Sequence, residues 1–400
     1  MEQLFSSLRV VDCASFIAAP AAATILSDYG ADIIKIEPPG AGDPHRELYR
    51  RPGQPVSETN YPWILDSRNK RSLALDLKSD AGLQILYRLV KTADVFITNL
   101  LPSACERLKI GYSTLEPLNP RLVYASFTAY GEAGPEADKT GFDITAYWAR
   151  TGLMDQVKAD AEAEPVRPVA GMGDHPCGVT LFAAIASALY RRERTGRGGK
   201  VTSSLVANGL WANGFLAQAA FCGARFQPRA ARTQPINACS NMYKTSDGRW
   251  LMLWIINEAR QFAPLLAALG QRELIDDRRF SGIEDRRRNA GALSAIFDGI
   301  FAKHDLNHWS GQLETAGITF SVVKTMDEVV RDEQLAAAGA VIPLADGSGI
   351  TVASPFNLEG EPQRPAGRAP GVGEHSDEIL RELGYSVADV AGLRAAGAVG

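Results

Sequence analysis

Two phosphate-binding signatures are missing from this sequence. No Gly-x-Gly-x-x-Gly follows a strand-like stretch, and there is no Gly-x4-Gly-Lys-Ser/Thr loop. A nicotinamide or flavin site and a nucleotide-hydrolysing loop therefore lack their backbone cradles. Cysteine is scarce: the five, at 13, 105, 177, 222 and 239, form no Cys-x-x-Cys pair and are odd in number. Free thiols in a reducing cytoplasm are the expected state. The five histidines, at 45, 175, 304, 308 and 375, lack Cys or acidic partners at ligand spacing, so no metal site is expected. No apolar run approaches the roughly 18 residues that span a bilayer. The opening MEQLFSSLRVVD lacks the basic and apolar regions of a signal peptide. With 42 basic against 46 acidic residues, the chain carries no basic field for nucleic acid. What remains is a 400-residue chain of ordinary hydrophobicity, long enough for two or more domains.

Short apolar runs alternate with helical periodicity through the first 130 residues. Strands are expected at 8–11, 32–36, 72–75, 95–98 and 122–127. A small-residue helix over 18–29, closed by Gly30, lies between the first two. Ser79 can cap a helix with Leu83, Leu86, Tyr87 and Val90 on one face, and a short helix runs through Arg107. The alternation predicts a doubly wound, mostly parallel α/β sheet, Rossmann-like without its glycine fingerprint. Such sheets bind ligands outside the carboxyl ends of their strands, where Asn99, Thr128 and Tyr130 fall. Arg68-Asn69-Lys70-Arg71 is a compact basic cluster. It reads either as a solvated turn or as a phosphate clamp.

The stretch from 130 to 205 carries the chemistry. A Gly171-Met172-Gly173 turn leads into Asp174, followed by an apolar helix that ends in Arg191–Arg194 and Gly196. Asp at such a place suits an ordinary helix N-cap, and equally an exposed carboxylate poised at a turn. A strand at 200–205 and a helix at 210–221 follow. Residues 223–235 read as a linker, and hairpins are expected around Ser246-Asp247-Gly248 and Asp346-Gly347-Ser348-Gly349. The resulting division is 1–222, a small α+β domain over 223–335, and a returning segment, 336–400, that completes the large domain.

Taken in order, LSDYGADIIKIEPPGAGDPHR, NKRSLALDL, ADVFITNLLPSACERLKIGY, LNPRLVYASFTAYGEAGP, GFDITAYWARTGLM, GDHPCG, LYRRERTGRGGKVTSSL and GEHSDEILRELGYS resemble the family III coenzyme A transferases, the CaiB/BaiF family. The resemblance implies an interlocked homodimer and an Asp nucleophile at Asp174. It also implies coenzyme A contacts from Ile17, Ala18, Lys70, Arg71, Asn99, Arg107, Thr128 and Tyr130, with Arg71 and Arg107 foremost for phosphate. Backbone N–H groups of Gly171 and Gly173, or of the helix mouth, are the expected oxyanion donors. Coenzyme A and its thioester enter as substrate rather than as a tightly bound cofactor. The partners are then an acyl-CoA and a carboxylic acid, with short dicarboxylates as a first expectation and transfer either between or within molecules. Some departures narrow this. Ile17 replaces a glutamine of formyl-CoA transferase, Pro38 replaces a basic residue of some members, and the glycine run of oxalate-using members is missing after residue 225.

Two rival chemistries share these residues. The α-methylacyl-CoA racemases, of the same fold, carry a histidine where this chain has Phe142, and a two-base reaction needs that second proton carrier. A thiol reaction would pair Cys177 with His175, yet residues two apart on a helix do not face each other.

Overall fold

The computed structural model describes residues 3–400. Residues 1–156, 167–223 and 333–400 form one unit, and residues 157–166 with 224–332 form a second. The spacer 157–166 thus groups with the smaller unit and not with the segment that precedes it.

The first unit is built on six parallel strands: β1 (Arg9–Cys13), β2 (Asp32–Glu37), β3 (Lys70–Ala74), β4 (Val95–Thr98), β5 (Val123–Thr128) and β6 (Gly199–Ser204). Their order is β3-β2-β1-β4-β5-β6, which is doubly wound with the switch between β1 and β4. The inner strands are buried along their length, as a sheet covered on both faces requires. One apolar layer lies between the sheet and helix α1 (Ala18–Asp28) with the 22-residue helix Asp174–Thr195. The other lies beneath helix α3 (Asp80–Val90) and the C-terminal helices Ser376–Glu382 and Val387–Ala395. The chain end is tied to β3, where Gly400 N donates to Ala74 O at 3.0 Å.

Sequence expectations and structure part at three places. Strand β3 starts at Lys70, two residues before the apolar run suggests. The helix expected over 210–221 is two helices, Leu205–Ala212 and Gly214–Phe221. They break at Asn213, whose side chain donates to Thr151 O at 2.9 Å. Helix α2 (Tyr61–Ser67) went unread, although Asn60 caps it by accepting from Trp63 N and proline lies in its first turn. A further short helix, α4 (Pro102–Arg107), follows β4; the long helix Asp174–Thr195 is α5.

Helices α1 and α5 both start at the carboxyl edge and run parallel. Their approach is set by size. A Cβ on Gly178 would lie 2.8 Å from Ala21 Cβ and 2.9 Å from Ala18 O, so only glycine fits against the alanine face of α1. The two N-termini therefore open side by side. Beneath the loop 14–17 lies a buried charge cluster. Lys35 Nζ is 2.8 Å from Asp43 and also donates to Ala14 O, while Lys70 Nζ donates to Asp12 at 2.9 Å and to Pro20 O at 2.8 Å. Each buried ion has an opposite partner, the condition under which such charges are tolerated.

The second unit has a three-stranded antiparallel sheet, Met242–Lys244, Trp250–Leu253 and Phe320–Val322. Its core is aromatic, with Tyr243 stacked on Phe301 at 5.0 Å.

Candidate active site

At the switch point, Asn99 spans the ends of β1 and β4. Its Oδ1 accepts from Ser15 N at 2.8 Å and its Nδ2 donates to Ser15 O at 2.7 Å. The next residue, Phe16, is held at φ +63°, in the left-handed region that a bulky residue rarely adopts. Its amide donates to Asp43 Oδ1 at 3.2 Å. The loop leads directly into α1, whose start has no side-chain cap. The amides of Ile17 and Ala18 find no acceptor among the described residues, although both residues are buried. Orphan amides at a helix start are donors awaiting an anion.

These groups border a cavity of about 390 Å³, bounded by residues 15–18, 99–101, 127–129 and 140–142 with Pro44, Ala104, Asp174 and Leu205. Of the residues expected at the site, Ile17, Ala18, Asn99, Thr128 and Asp174 are brought together here. Tyr130 stands behind the wall, packed beneath Gly141, with Lys139 Nζ 5.0 Å from its ring centroid.

Asp174 is the first residue of α5, and Gly173 occupies the cap position. Its half-buried carboxylate accepts no hydrogen bond among the described residues, so it is not the ordinary N-cap that the local sequence allows. Burial, and then the charge of Asp143, push its pKa up to about 7, while His175 pulls the other way. The turn before it is held from outside. Asp143 Oδ2 accepts from Gly171 N at 3.0 Å and from Gly173 N at 3.3 Å. Tyr147, from the π-helical turn Asp143–Ala149, fills the space where a Cβ on Gly173 would lie, 2.8 Å from its ring. Gly171 and Gly173 therefore donate to a protein carboxylate, and the expectation that they serve an oxyanion is corrected. The amides of Ile17 and Ala18, by contrast, remain unengaged among the described residues.

His175 closes the turn from the other side. Its Nδ1 lies 3.0 Å from Gly171 O and its Nε2 lies 3.0 Å from Asp66 Oδ1. Both partners only accept, which is the arrangement of an imidazolium. Burial opposes that charge, but the hydrogen bond and charge of Asp66 raise the pKa of His175. Cys177 is fully buried in the apolar layer. Burial and the charge of Asp174 push its thiol pKa upward, leaving no thiolate for nucleophilic chemistry.

The basic cluster does not reach the cavity. Arg68 pairs with Asp28 at 2.7 Å, and Lys70 is locked beneath α1. Arg71 sits at the amino end of β3, engaged by Asp32, Glu378 and Glu382 at 2.6–2.9 Å. These ion pairs correct the reading of Lys70 and Arg71 as phosphate contacts. Cations do gather elsewhere. A second cavity of about 320 Å³ shares Ser15, Pro44 and Leu100 with the first. It shares Leu77, Lys78 and Leu108 with a third, of about 370 Å³, that also carries Arg107 and Lys109. Lys78, Arg107 and Lys109 are exposed and have no ion-pair partner among the described residues. Arg107 thus lies at the far end of a track that starts at Asp174. No cluster of three or more His, Cys, Asp or Glu that could hold a metal occurs among the described residues.

Residues 5–376 match the family model described as CoA-transferase family III. The chain is 32% identical to "(R)-2-hydroxy-4-methylpentanoate CoA-transferase" of Clostridioides difficile over 386 residues, covering 96% of each chain. It is also 32% identical to "Cinnamoyl-CoA:phenyllactate CoA-transferase" of Clostridium sporogenes over 399 residues, 97% of this chain and 95% of that enzyme. In structure it resembles a CAIB/BAIF family protein from Brucella suis, with a TM-score of 0.85 and 28% identity, covering 96% of this chain and 100% of the other.

The environment of Asp174 makes a pH prediction. With its pKa raised, the carboxylate is protonated below about 7, and any step that needs the ionised form loses about tenfold in rate per pH unit below that point. The Asp174 carboxyl resonance in a ¹³C NMR titration should show a midpoint near 7. Asp143→Asn should move it downward. A midpoint in the ordinary carboxylate range in the unmodified protein would contradict the burial and charge argument.

Proposed function

This chain belongs to CoA-transferase family III and moves coenzyme A from an acyl-CoA to a carboxylate, and we propose that it does so through covalent intermediates on Asp174. The observation that carries the mechanism is the unbonded, half-buried Asp174 carboxylate facing a cavity at the openings of two helices. A carboxylate committed to a cap or an ion pair would lose those bonds on attack; Asp174 has none to lose.

In the first step one Asp174 oxygen attacks the thioester carbonyl carbon. The C–S bond breaks, giving an acyl–aspartyl anhydride and the coenzyme A thiolate. The thiolate then attacks the aspartyl carbonyl. The first acid leaves with one aspartyl oxygen, and Asp174 holds coenzyme A as a thioester. The acceptor carboxylate repeats both steps in reverse order, which regenerates Asp174. Negative charge develops on a carbonyl oxygen in every step. The Ile17 and Ala18 amides, with the positive ends of α1 and α5, are suited to receive it. His175, held by Asp66, adds a fixed positive charge beside the turn.

The linked cavities fit the rest of the thioester. Pantetheine would run past Asn99 and Thr128, and the diphosphate and adenosine would follow through the middle cavity toward the far one, with phosphate groups meeting Lys78, Arg107 and Lys109. Guanidinium and ammonium groups suit phosphate, and helix α4 presents Arg107 from its last turn. A homodimer is supported by Trp211, Phe215 and Phe221, apolar side chains left exposed on the two helices after β6.

Four measurements test these proposals. Incubation with an acyl-CoA and hydroxylamine should leave a mass change on the peptide bearing Asp174, and Asp174→Ala should lower kcat at least about a thousandfold. Full turnover by that variant would end the mechanism. Arg107→Ala should raise KM for the thioester about tenfold with kcat nearly intact, as expected for a charge-assisted contact of roughly 1.5 kcal/mol or more; an unchanged KM would place the phosphates elsewhere. Sedimentation should give a dimer at micromolar concentration, and an active monomer would refute it.

A further inference from the structure

The cavity at Asp174 also indicates which acids it takes, an inference that rests on the transferase reading above. Its side chains fall into two sets. Ile17, Leu101, Phe127 and Leu205 join Phe16 and Phe142 as apolar wall, and the polar lining residues Ser15, Asn99, Thr128 and Thr140 are all neutral. Among the described residues, Asp174 itself is the one ionisable side chain in the lining.

Phe16 and Phe142 meet edge to face, with ring centroids 5.5 Å apart at an interplanar angle of 88°. Neither ring is there by default. Phe16 is kept at positive φ, a strained conformation for such a residue, and the Asp43 carboxylate and the Ser15–Asn99 pair hold it there. Phe142 is 57% exposed although it lies in the wall of a concave site. It is fixed at the start of the π-helical turn, where Phe142 N donates to Thr145 Oγ1 at 2.9 Å. An exposed ring pinned against a strained one is an apolar surface without an occupant, and aromatic or branched aliphatic groups bury well against it.

A second carboxylate has the opposite fate here. It would lose water without gaining a cation and would lie within a few ångströms of Asp174, where like charges oppose one another. The sequence-based expectation of short dicarboxylates does not fit this lining.

We propose that the acyl group beside Asp174 is that of an apolar monocarboxylic acid, aromatic or branched, and that Phe16 and Phe142 form the wall that selects it. Phe142 is the specificity-determining residue to vary, because its ring is exposed and its removal leaves the buried supports untouched.

The experiment uses the full-length protein, acetyl-CoA as donor, and a panel of acceptors: phenylpropionate, cinnamate, 4-methylpentanoate, propionate, succinate and glutarate. Thioester formation is followed by liquid chromatography. Aromatic and branched acids should exceed the dicarboxylates in kcat/KM by at least about a hundredfold, the scale of an uncompensated buried charge. Phe142→Ala should lower kcat/KM for phenylpropionate at least about tenfold more than it lowers kcat/KM for propionate. Phe142→Arg should narrow or invert the preference against glutarate. A wild-type preference for succinate or glutarate overturns the inference, as does a phenylpropionate-to-propionate ratio that Phe142→Ala leaves unchanged. The hydroxylamine trap on Asp174 separates the two levels. A protein that is trapped but prefers dicarboxylates fails only this inference, whereas one that is neither trapped nor active with any acid fails the transferase mechanism beneath it.

Discussion

The separation between α1 and α5 is the constraint on which the site depends. Glycine at 178 lets α5 lie directly against the alanines of α1, and two parallel helices at that distance must open their N-termini together. The α1 opening presents the unengaged amides of Ile17 and Ala18, and both openings present the positive end of a helix dipole. Asp174 sits at one opening and the Ile17 and Ala18 amides at the other. On the proposed mechanism, a wider gap would part the nucleophile from its oxyanion donors, and no loop could restore both, since each is the first turn of a rigid element. The carboxylate is left in balance. Burial and Asp143 favour its neutral form, while the helix ends and His175 favour its charge, and the outcome is a pKa near 7. A nucleophile needs that balance, because a strongly stabilised carboxylate attacks poorly.

Rigidity is supplied from beneath by ions. Asp12, Lys35, Asp43 and Lys70 are all buried, and each directs a polar atom at the loop after β1 or at the first turn of α1. Charges in this setting contribute little net stability, but removing one partner leaves the other unpaired at several kcal/mol. The cluster thus works as a clamp on geometry: it keeps Phe16 in a conformation that it would leave if free. The same argument applies at the Gly171–Gly173 turn, where Asp143 takes the amides and His175 takes the carbonyl of Gly171.

The sheet was legible in the sequence because period and length suffice to find buried parallel strands. Positions after strand ends, such as Asn99 and Thr128, followed from the same reading. Asp174 did not. Its neighbours describe a cap equally well, and only the resemblance singled it out. The basic cluster misled for a geometric reason. Strand β3 begins at Lys70 and not at Ser72, which puts the backbone of Arg68 to Arg71 at the amino edge, away from the Asp174 cavity, with only the buried Lys70 ammonium reaching back to Pro20 O beneath α1. Charge composition could not reveal that Asp28, Asp12 and Asp32 were waiting there as partners. Asp143 was missed because its partners lie 28 and 30 residues on, beyond any local pattern.

Low polarity around one carboxylate accounts for several properties at once. The apolar wall raises the pKa of Asp174 by withholding water, and it strengthens every electrostatic contact made to a developing oxyanion. On the proposed mechanism it also guards the covalent intermediates. An acyl–aspartyl anhydride is destroyed by a single water molecule, and the exchange of one thioester for another leaves no driving force to replace what hydrolysis removes. A wall of Phe16, Phe142, Phe127 and Leu205 filled by an apolar acyl group excludes that water. A small or charged acid would bring solvent in with it. Selectivity and protection of the intermediate are then the same physical act, and the exposed Phe142 ring has its role only when an acyl group covers it.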